Sequence, residues 1–223
     1  MISIVPTILA RTRTEFDARF AVLQPHFLKA HLDVLNNTLV NGESFHEAEY
    51  IGRQAGIIKF EVHLMVDLDD YDLSIWNQPW VEKMIVHCEA AGAGKQLSDM
   101  RSWGKQLYIA ANPDTQTDVL KPHLTHSDGC MVMTVMPGHM GAPFQPQALD
   151  TITWVRKQYP KLPIEADGGV SNETLMSLLD LGVTTVAVGS YLKNENIENR
   201  LFDLIALIER FEQKKVSPRG RKK

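Results

Sequence analysis

Short runs of apolar and β-branched residues recur along the chain, and most of the gaps between them hold a segment with helical periodicity. Runs of about four to eight such residues are typical of buried strands, and apolar residues at every third or fourth position are typical of amphipathic helices. We therefore predict eight strands: Ile2–Leu9, Ala30–Leu35, Ile57–Val66, Lys83–His87, Gln106–Ala110, Gly129–Val135, Leu162–Ala166 and Thr184–Val188. Helices are predicted in the gaps, among them Glu15–Gln24, Glu43–Gln54, Pro146–Gln158, Asn172–Asp180 and Ile197–Phe211.

The alternation of strand and helix over 223 residues predicts the fold class. It indicates an α/β protein with a single (β/α)₈ TIM barrel domain over residues 1–212, and a doubly wound parallel sheet is the alternative. A nucleotide-binding form of that sheet is disfavoured, since no Gly-x-Gly-x-x-Gly motif follows an early strand. Only the third crossover, Asp69–Pro79, lacks clear periodicity, and we expect it to be irregular.

Composition changes the picture mainly at the C-terminal end. The chain is 44% apolar and 22% charged, as in ordinary globular domains, with a formal net charge of −4. Lys and Arg are concentrated at the end, in a stretch that also holds Pro218 and Gly220 and no aromatic residue. We predict that residues 213–223 form a basic disordered tail rather than a nucleic-acid-binding patch. The acidic remainder of the chain argues further against a nucleic-acid partner.

Membrane and secretion signals are not evident in the sequence. No apolar run approaches the roughly 20 residues of a membrane helix, and Met1 to Ala10 lacks the basic leader of a secretion signal. Cys130 falls in a predicted strand and Cys88 directly follows one, and two cysteines are too few for a disulfide framework, so we expect buried thiols in a reducing compartment. These observations predict a cytoplasmic protein without a membrane partner.

Imidazoles and carboxylates lie where the predicted strands end, which is where a TIM barrel places its site. His31 and Asp33 are two residues apart and share one face of a strand, His63 lies in the next strand, and Asp167 precedes Gly168-Gly169. A single strand histidine is more often structural, and Asp-Gly-Gly is also an ordinary turn. Four such residues in one barrel mouth predict a site for a divalent metal ion, whereas for His87 we favour a structural role.

These residues stand in motifs that resemble those of the ribulose-phosphate 3-epimerase family, from about Val5 to about Ile208. The segments His31–Asn37, His63–Val66, His87–Ala90 and Pro113–Thr115 are similar to the family's His-x-Asp-x-Met-Asp-Gly, His-Leu-Met-Val, His-x-Glu-Ala and Pro-x-Thr. Met133–Gly141 is similar to Met-Thr-Val-x-Pro-Gly-Phe-Gly-Gly, and Asp167–Val170 with Gly189-Ser190 resembles Asp-Gly-Gly-Val followed by Gly-Ser.

The resemblance implies a carbohydrate epimerase of the pentose phosphate pathway that inverts C3 of a ketose phosphate, converting D-ribulose 5-phosphate to D-xylulose 5-phosphate. It implies one divalent ion (Zn, Fe(II), Co or Mn) held by His31, Asp33, His63 and Asp167. Asp33 and Asp167 would serve as catalytic acid and base through a metal-stabilised enediolate, because one carboxylate cannot serve both faces of the substrate.

The resemblance also implies a small sugar-phosphate substrate and a homo-oligomer, either a dimer or a larger ring. Met65 and Met133 would line the reacting carbons, and glycine-rich loops after the last strands would bind the phosphate. The implied substrate-binding and phosphate-binding residues are Thr7, His63, Met65, Met133, Gly138, His139, Met140, Gly141, Gly168, Gly169, Gly189 and Ser190.

Three departures from the family's motifs leave the function open. Leu35-Asn36-Asn37 stands where the family has Met-Asp-Gly, His139-Met140 stands where it has Phe-Gly, and Thr7 stands where it has Ser. Three hypotheses therefore remain: a ribulose-phosphate epimerase, a 3-epimerase of a hexulose 6-phosphate of the allulose 6-phosphate type, and a sugar-phosphate-binding protein that has lost turnover.

Overall fold

The computed structural model describes residues 2–93, 100–138, 140–192 and 196–216. Eight parallel strands form a closed barrel in sequence order, and β1 closes it by pairing with β8. The prediction of a (β/α)₈ TIM barrel is therefore confirmed, and the open doubly wound sheet is excluded. The strands are β1 (Ser3–Ile8), β2 (Lys29–Leu35), β3 (Lys59–Met65), β4 (Val81–His87), β5 (Gln106–Ala111), β6 (Gly129–Met133), β7 (Ile164–Asp167) and β8 (Thr185–Val188).

The described helices lie outside the barrel, in the gaps between strands. The segment predicted as a helix from Glu43 becomes helical only at Ala48, because Glu43 instead forms a β-bridge with Asn36. The irregular third crossover is confirmed, since its only helical part is a 3₁₀ turn at Leu73–Trp76. The helices are Arg13–Leu23, Ala48–Ala55, Thr117–Leu124, Ala148–Gln158, Leu175–Asp180 and Ile197–Val216, and a second 3₁₀ turn covers Ser190–Leu192.

The helix Arg13–Leu23 begins at a capped N-terminus. The Thr12 hydroxyl accepts a hydrogen bond from the Glu15 N–H at 3.2 Å, and the Glu15 carboxylate accepts one from the Arg11 N–H at 2.7 Å. Such side-chain bonds satisfy amide groups that have no partner within the helix. Phe16 and Phe20 are buried on the face toward the barrel. The helix is thereby held beside the C-terminal end of β1.

The main hydrophobic core lies between the barrel wall and the helices, and it includes the fully buried Trp76, Phe16 and Phe60. A smaller apolar cluster fills part of the barrel interior, with Ile85, Tyr108 and Met131 among its members. The opposite part of the interior is polar. There the strand register places Asp33 beside His63 and, two residues toward the N-terminal end, His31 beside Glu61 and Glu61 beside Lys83. The fold thus stacks two layers of ionisable side chains.

The last helix continues through Val216, so the residues just after position 212 belong to a helix rather than to the predicted tail. The rest of that predicted tail, residues 217–223, lies outside the described residues. Within the described part of the chain, no helix combines the length and apolar character needed to cross a membrane.

Candidate active site

Four side chains of the metal-ligand type meet at the C-terminal end of the barrel. His31, Asp33, His63 and Asp167 are buried, and one ligand atom of each lies within 4.8 Å of those of the others. His63 Nδ1 is 2.9 Å from Asp33 Oδ1 and 3.7 Å from Asp167 Oδ2. His31 Nε2 is 3.3 Å from Asp33 Oδ1 and 3.9 Å from Asp167 Oδ2. The predicted cluster is therefore assembled from β2, β3 and β7.

The donor set fits a divalent ion. His31 Nε2 is buried and has no hydrogen-bond partner, although buried polar atoms are nearly always paired. It points into a group with two carboxylates and a second imidazole, and these donors suit zinc and similar first-row metals. A metal ion bound here would satisfy His31 Nε2 and balance the two carboxylate charges.

A second layer of charges lies beneath His31. His31 Nδ1 is 2.7 Å from Glu61 Oε1 and 3.5 Å from Glu165 Oε1. Lys83 lies between the two glutamates and donates to Glu61 at 2.6 Å and to Glu165 at 2.7 Å. Because the N–H of a ligand histidine usually binds a carboxylate, this layer directs Nδ1–H toward Glu61 and leaves Nε2 for an ion.

His63 is oriented by a chain of hydrogen bonds on the other side of the site. His63 Nε2 is 2.9 Å from His87 Nε2, and His87 Nδ1 is 3.0 Å from Glu89 Oε2. Glu89 also accepts from the Asn112 N–H at 2.8 Å and from the Thr115 hydroxyl. The Glu89 carboxylate takes the Nδ1–H of His87, so His87 Nε2 accepts the Nε2–H of His63. This order leaves His63 Nδ1 free to bind an ion.

The pKa values of the two aspartates are shifted in opposite directions. Burial tends to raise the pKa of Asp33, but the nearby imidazoles of His31 and His63 outweigh burial and hold it below its usual value. Burial raises the pKa of Asp167 to about 8, because attraction by His31 is insufficient to offset desolvation and repulsion by Asp33. Burial lowers the pKa of His63 to about 4 despite the nearby carboxylate of Asp33. Before any ion binds, the pKa of Asp33 therefore lies below its usual value and the pKa of Asp167 lies above it.

A cavity opens above this cluster at the mouth of the barrel. Asp33 and Asp167 line it, and His63 lies buried below. Two of the predicted substrate-binding residues are not in the cavity lining: His63, which lies below it, and His139, which lies outside the described residues. All the other predicted substrate-binding and phosphate-binding residues line the cavity, namely Thr7, Met65, Met133, Gly138, Met140, Gly141, Gly168, Gly169, Gly189 and Ser190.

The asparagines that replace the family's Asp-Gly form a turn at the end of β2. Asn37 has φ of 62°, a left-handed conformation that asparagine tolerates better than most residues with a side chain. Its side-chain oxygen accepts from the Gly42 N–H at 2.7 Å. Asn36 Oδ1 accepts from the hydroxyl and the N–H of Thr38, at 2.6 and 3.2 Å. Asn36 thus stabilises the turn, while Asn37 takes the backbone conformation expected of the glycine.

Comparison with known proteins agrees with this geometry. The model of the ribulose-phosphate 3 epimerase family matches residues 2–193. The chain belongs to this family.

Curated family members named ribulose-phosphate 3-epimerase are similar at a modest level of identity. The Schizosaccharomyces pombe protein is 30% identical over 132 residues, which cover 59% of this chain and 58% of that protein. The Chlamydia muridarum protein is 28% identical over 170 residues, which cover 72% and 74% of the two chains. The match to the Schizosaccharomyces pombe protein thus spans less than two thirds of that relative's length.

Solved structures outside the family share the barrel. The tryptophan synthase α-subunit from Pyrococcus furiosus superimposes with a TM-score of 0.67 at 16% identity, covering 92% of this chain and 98% of that chain. The thiamine phosphate pyrophosphorylase from the same organism has a TM-score of 0.61 at 13% identity and covers 94% and 96%. At such low identity these similarities show the fold alone.

The sequence predictions missed the charge layer of Glu61, Lys83 and Glu165. A signal for two of these residues was present, because Glu61 is two positions before His63 and Glu165 is two before Asp167. Side chains alternate along a strand, so these residues face the interior with the predicted metal ligands. Lys83 has no comparable marker in its own strand. His87 contacts His63 and stands outside the four-residue cluster, as its predicted structural role implies.

Proposed function

We propose that this chain is a 3-epimerase that converts D-ribulose 5-phosphate to D-xylulose 5-phosphate. The observation that carries the proposal is the pair Asp33 and Asp167, which line one cavity from β2 and β7 and belong to one cluster of metal-ligand type. Inversion beside a carbonyl requires one group to remove a proton and another to return one on the opposite face. Two carboxyl groups that reach the cavity from different strands are suited to these two roles.

In the forward direction, Asp33 would take the proton from C3 on one face, and Asp167 would deliver a proton to the other face. The reverse reaction exchanges the two roles. Met65 and Met133 would cover the reacting carbons and exclude water. A divalent ion (Zn, Fe(II), Co or Mn) held by His31, Asp33, His63 and Asp167 would supply Lewis-acid stabilisation of the negative charge that develops during the reaction.

The phosphate would bind at the opposite end of the cavity. Gly168 and Gly169 follow β7, and Gly189 and Ser190 follow β8, and all four line the cavity. Backbone N–H groups in the loops after the last two strands are a recurrent phosphate site of this fold. We refer to Gly168, Gly169, Gly189 and Ser190 as the phosphate cradle.

Exchange of the C3 proton with solvent tests the reaction directly. In deuterated water, the xylulose 5-phosphate formed from ribulose 5-phosphate should carry deuterium at C3, as followed by NMR. Asp33→Asn and Asp167→Asn should each lower kcat by about 10²-fold to 10⁴-fold, the usual contribution of a positioned acid or base. Asp114→Asn is the control, because Asp114 is exposed after β5 and does not line the cavity. Full activity in either catalytic variant would contradict the proposal.

A hexulose 6-phosphate is the second candidate. An open cavity of about 830 Å³ adjoins the first, shares Gly138 and Met140 with it, and extends past Asn37 and Glu43. That space favours a substrate one carbon longer. A larger kcat/KM for allulose 6-phosphate than for ribulose 5-phosphate would select this candidate. If sugar phosphate binds and solvent deuterium never enters it, the third hypothesis, a binding protein without turnover, would hold instead.

The proposal also includes a cytoplasmic location and a homo-oligomer. Both cysteines are free and buried, which suits a reducing compartment. Light scattering of the purified protein would test the oligomeric state. A monomer at all protein concentrations would contradict that part of the proposal without affecting the proposed chemistry.

A further inference from the structure

The cavity presents an unfavourable electrostatic environment for a phosphate dianion. Asp33 and Asp167 line it, and none of its described lining residues is Lys or Arg. Phosphate sites normally provide cationic side chains or several backbone N–H groups aimed at the anion. A cation close behind the phosphate cradle would therefore strengthen binding even without touching the phosphate.

Arg19 lies behind one arm of the phosphate cradle. Its guanidinium extends from the helix Arg13–Leu23 and donates to three backbone carbonyls at the ends of β1 and β8. Nη2 is 3.3 Å from Gly189 O, Nη1 is 2.5 Å from Leu192 O, and Nε is 3.3 Å from Thr7 O. Burial lowers the pKa of Arg19 to about 10, which leaves the side chain charged at neutral pH.

The bond from Arg19 to Gly189 O determines the direction of a neighbouring amide. In a trans peptide, the C=O of one residue and the N–H of the next point to opposite sides of the chain. The described chain contains no cis peptide bond. Because Gly189 O points toward Arg19, the Ser190 N–H points away from Arg19, on the side where Ser190 lines the cavity.

We propose that Arg19 is a positioning residue of the phosphate cradle. It holds the carbonyl groups of Gly189 and Leu192 away from the anion, directs the Ser190 N–H toward it, and places a positive charge behind the loop. The guanidinium suits this role because its fork of N–H donors can bind several carbonyls at once, whereas a lysine ammonium is a single point charge. The inference rests on the proposed function, since it assumes a phosphorylated substrate.

The experiment measures binding of inorganic phosphate to the metal-loaded protein by calorimetry, together with steady-state kinetics on ribulose 5-phosphate. Arg19→Met should weaken phosphate binding and raise KM by about tenfold or more, equivalent to at least about 1.4 kcal/mol. Metal affinity should remain unchanged, and kcat should change by less than about twofold. Arg19→Lys retains the charge with fewer directed donors, so its phosphate affinity should fall between those of wild type and Arg19→Met.

Arg156 provides a matched control. It donates to Pro160 O at 2.8 Å, Leu162 O at 2.9 Å and Gly182 O at 2.8 Å. These carbonyls precede β7 and β8, at the end of the barrel remote from the cavity. Burial lowers the pKa of Arg156 as it does that of Arg19. Arg156→Met therefore removes the same kind of contact and should leave phosphate affinity unchanged.

Three results would each overturn the inference that Arg19 positions the phosphate cradle. Equal phosphate affinity in wild type and Arg19→Met would do so, as would equal weakening by Arg156→Met or a wild type that does not bind phosphate. If Arg19→Met fails to fold, Arg19→Lys and Arg19→Gln decide by the same criteria. If wild type binds phosphate, depends on Arg19 for it, and turns over no ketose phosphate, the proposed function fails and the role of Arg19 stands.

Discussion

His87 determines which nitrogen of His63 is available to an ion. We refer to His31, Asp33, His63 and Asp167 as the metal-ligand cluster. Its ring stacks on that of His63 with centroids 5.1 Å apart, and its Nε2 is 2.9 Å from His63 Nε2. Glu89 holds the other nitrogen of His87. The influence of His87 on an ion is therefore indirect, through the tautomer and orientation of His63.

Replacing His87 with phenylalanine keeps a stacked ring and removes the acceptor for His63 Nε2–H. We expect His87→Phe to weaken metal binding by about 10-fold to 100-fold, the usual cost of losing a partner of a ligand histidine. Competition with a chelator measures the affinity. Cys88→Ala is the control, because successive strand residues face opposite sides and Cys88 packs in the outer core. Unchanged affinity in His87→Phe would show that His63 is oriented without His87.

Lys83 is the cation of the buried charge layer. It bridges Glu61 and Glu165, and its ammonium lies 4.3 Å from the centre of the Tyr108 ring. Attraction by the two glutamates outweighs burial and raises the pKa of Lys83 above its usual value. A neutral replacement would leave two carboxylates facing each other in the barrel interior.

We expect Lys83→Met to lower the free energy of unfolding by about 3–5 kcal/mol, the cost of removing one partner from a buried ion pair. Lys29→Met is the control, since Lys29 pairs with Glu82 on the surface, where such pairs contribute about 0–1 kcal/mol. Adding Glu165→Gln to Lys83→Met should recover part of the loss by removing an unpaired charge. Denaturant unfolding measures all four proteins. Equal costs for Lys83→Met and Lys29→Met would disprove this account.

At the scale of elements, the ends of β6 and β7 are joined beside the cavity. The Thr134 hydroxyl donates to the carbonyls of Asp167 and Gly168. Gly168 has φ of 101°, and a Cβ there would lie 2.3 Å from Val135 Cγ2. Only glycine therefore allows the loop after β7 to approach β6 this closely while Asp167 faces the cluster.

Gly168→Ala should consequently destabilise the protein and distort the mouth. Gly104→Ala is the matched control, because Gly104 also has a positive φ, 68°, and its Cβ would have nothing within 4 Å. We expect Gly104→Ala to cost about 1–2 kcal/mol from backbone strain alone. Gly168→Ala should cost about 1–3 kcal/mol more from the clash. Thermal unfolding measures the difference, and equal costs would mean that Val135 moves aside freely.

The strand pattern and the site differ in how far they could be predicted. Periodicity identified the eight strands because burial on both faces of a parallel barrel produces apolar runs, and the four cluster residues lie within β2, β3 and β7. The predicted start of the helix from Glu43 was less accurate, because the observed start at Ala48 depends on the pairing of Asn36 with Glu43. The contacts of Arg19 with Gly189 and Leu192 join segments far apart in the sequence, and no local pattern indicates them.

At the scale of the whole molecule, the metal-ligand cluster links strands on both sides of the barrel closure. His31 and Asp33 belong to β2, His63 belongs to β3, and Asp167 belongs to β7. An ion bound by all three strands would bind the folded protein and not the unfolded chain. Its binding free energy should therefore appear as stability of the entire domain.

We expect metal to raise the melting temperature of chelator-treated protein. At a free ion concentration of about 100 times Kd, the gain is about 2.7 kcal/mol, or about 5–10 °C for a domain of this size. The shift should be much smaller in Asp167→Asn, which loses a ligand charge, and unchanged in Asp114→Asn. Calorimetry with and without zinc or manganese measures it. Identical melting of wild type with and without these ions would argue against a metal site.

Because β1 and β8 close the barrel, β1 cannot be paired on both sides until β8 has been synthesised. β1 is translated before the other strands of the barrel, yet its second neighbour exists only after Val188 has been added. At about 5–20 residues per second, that delay is roughly ten to forty seconds. Until then β1 keeps an unpaired edge, a surface that invites pairing with other chains. The predicted metal ligands of β2 and β3 are thus synthesised before β8, whereas Arg19 meets the carbonyls of Gly189 and Leu192 only after those residues have been made.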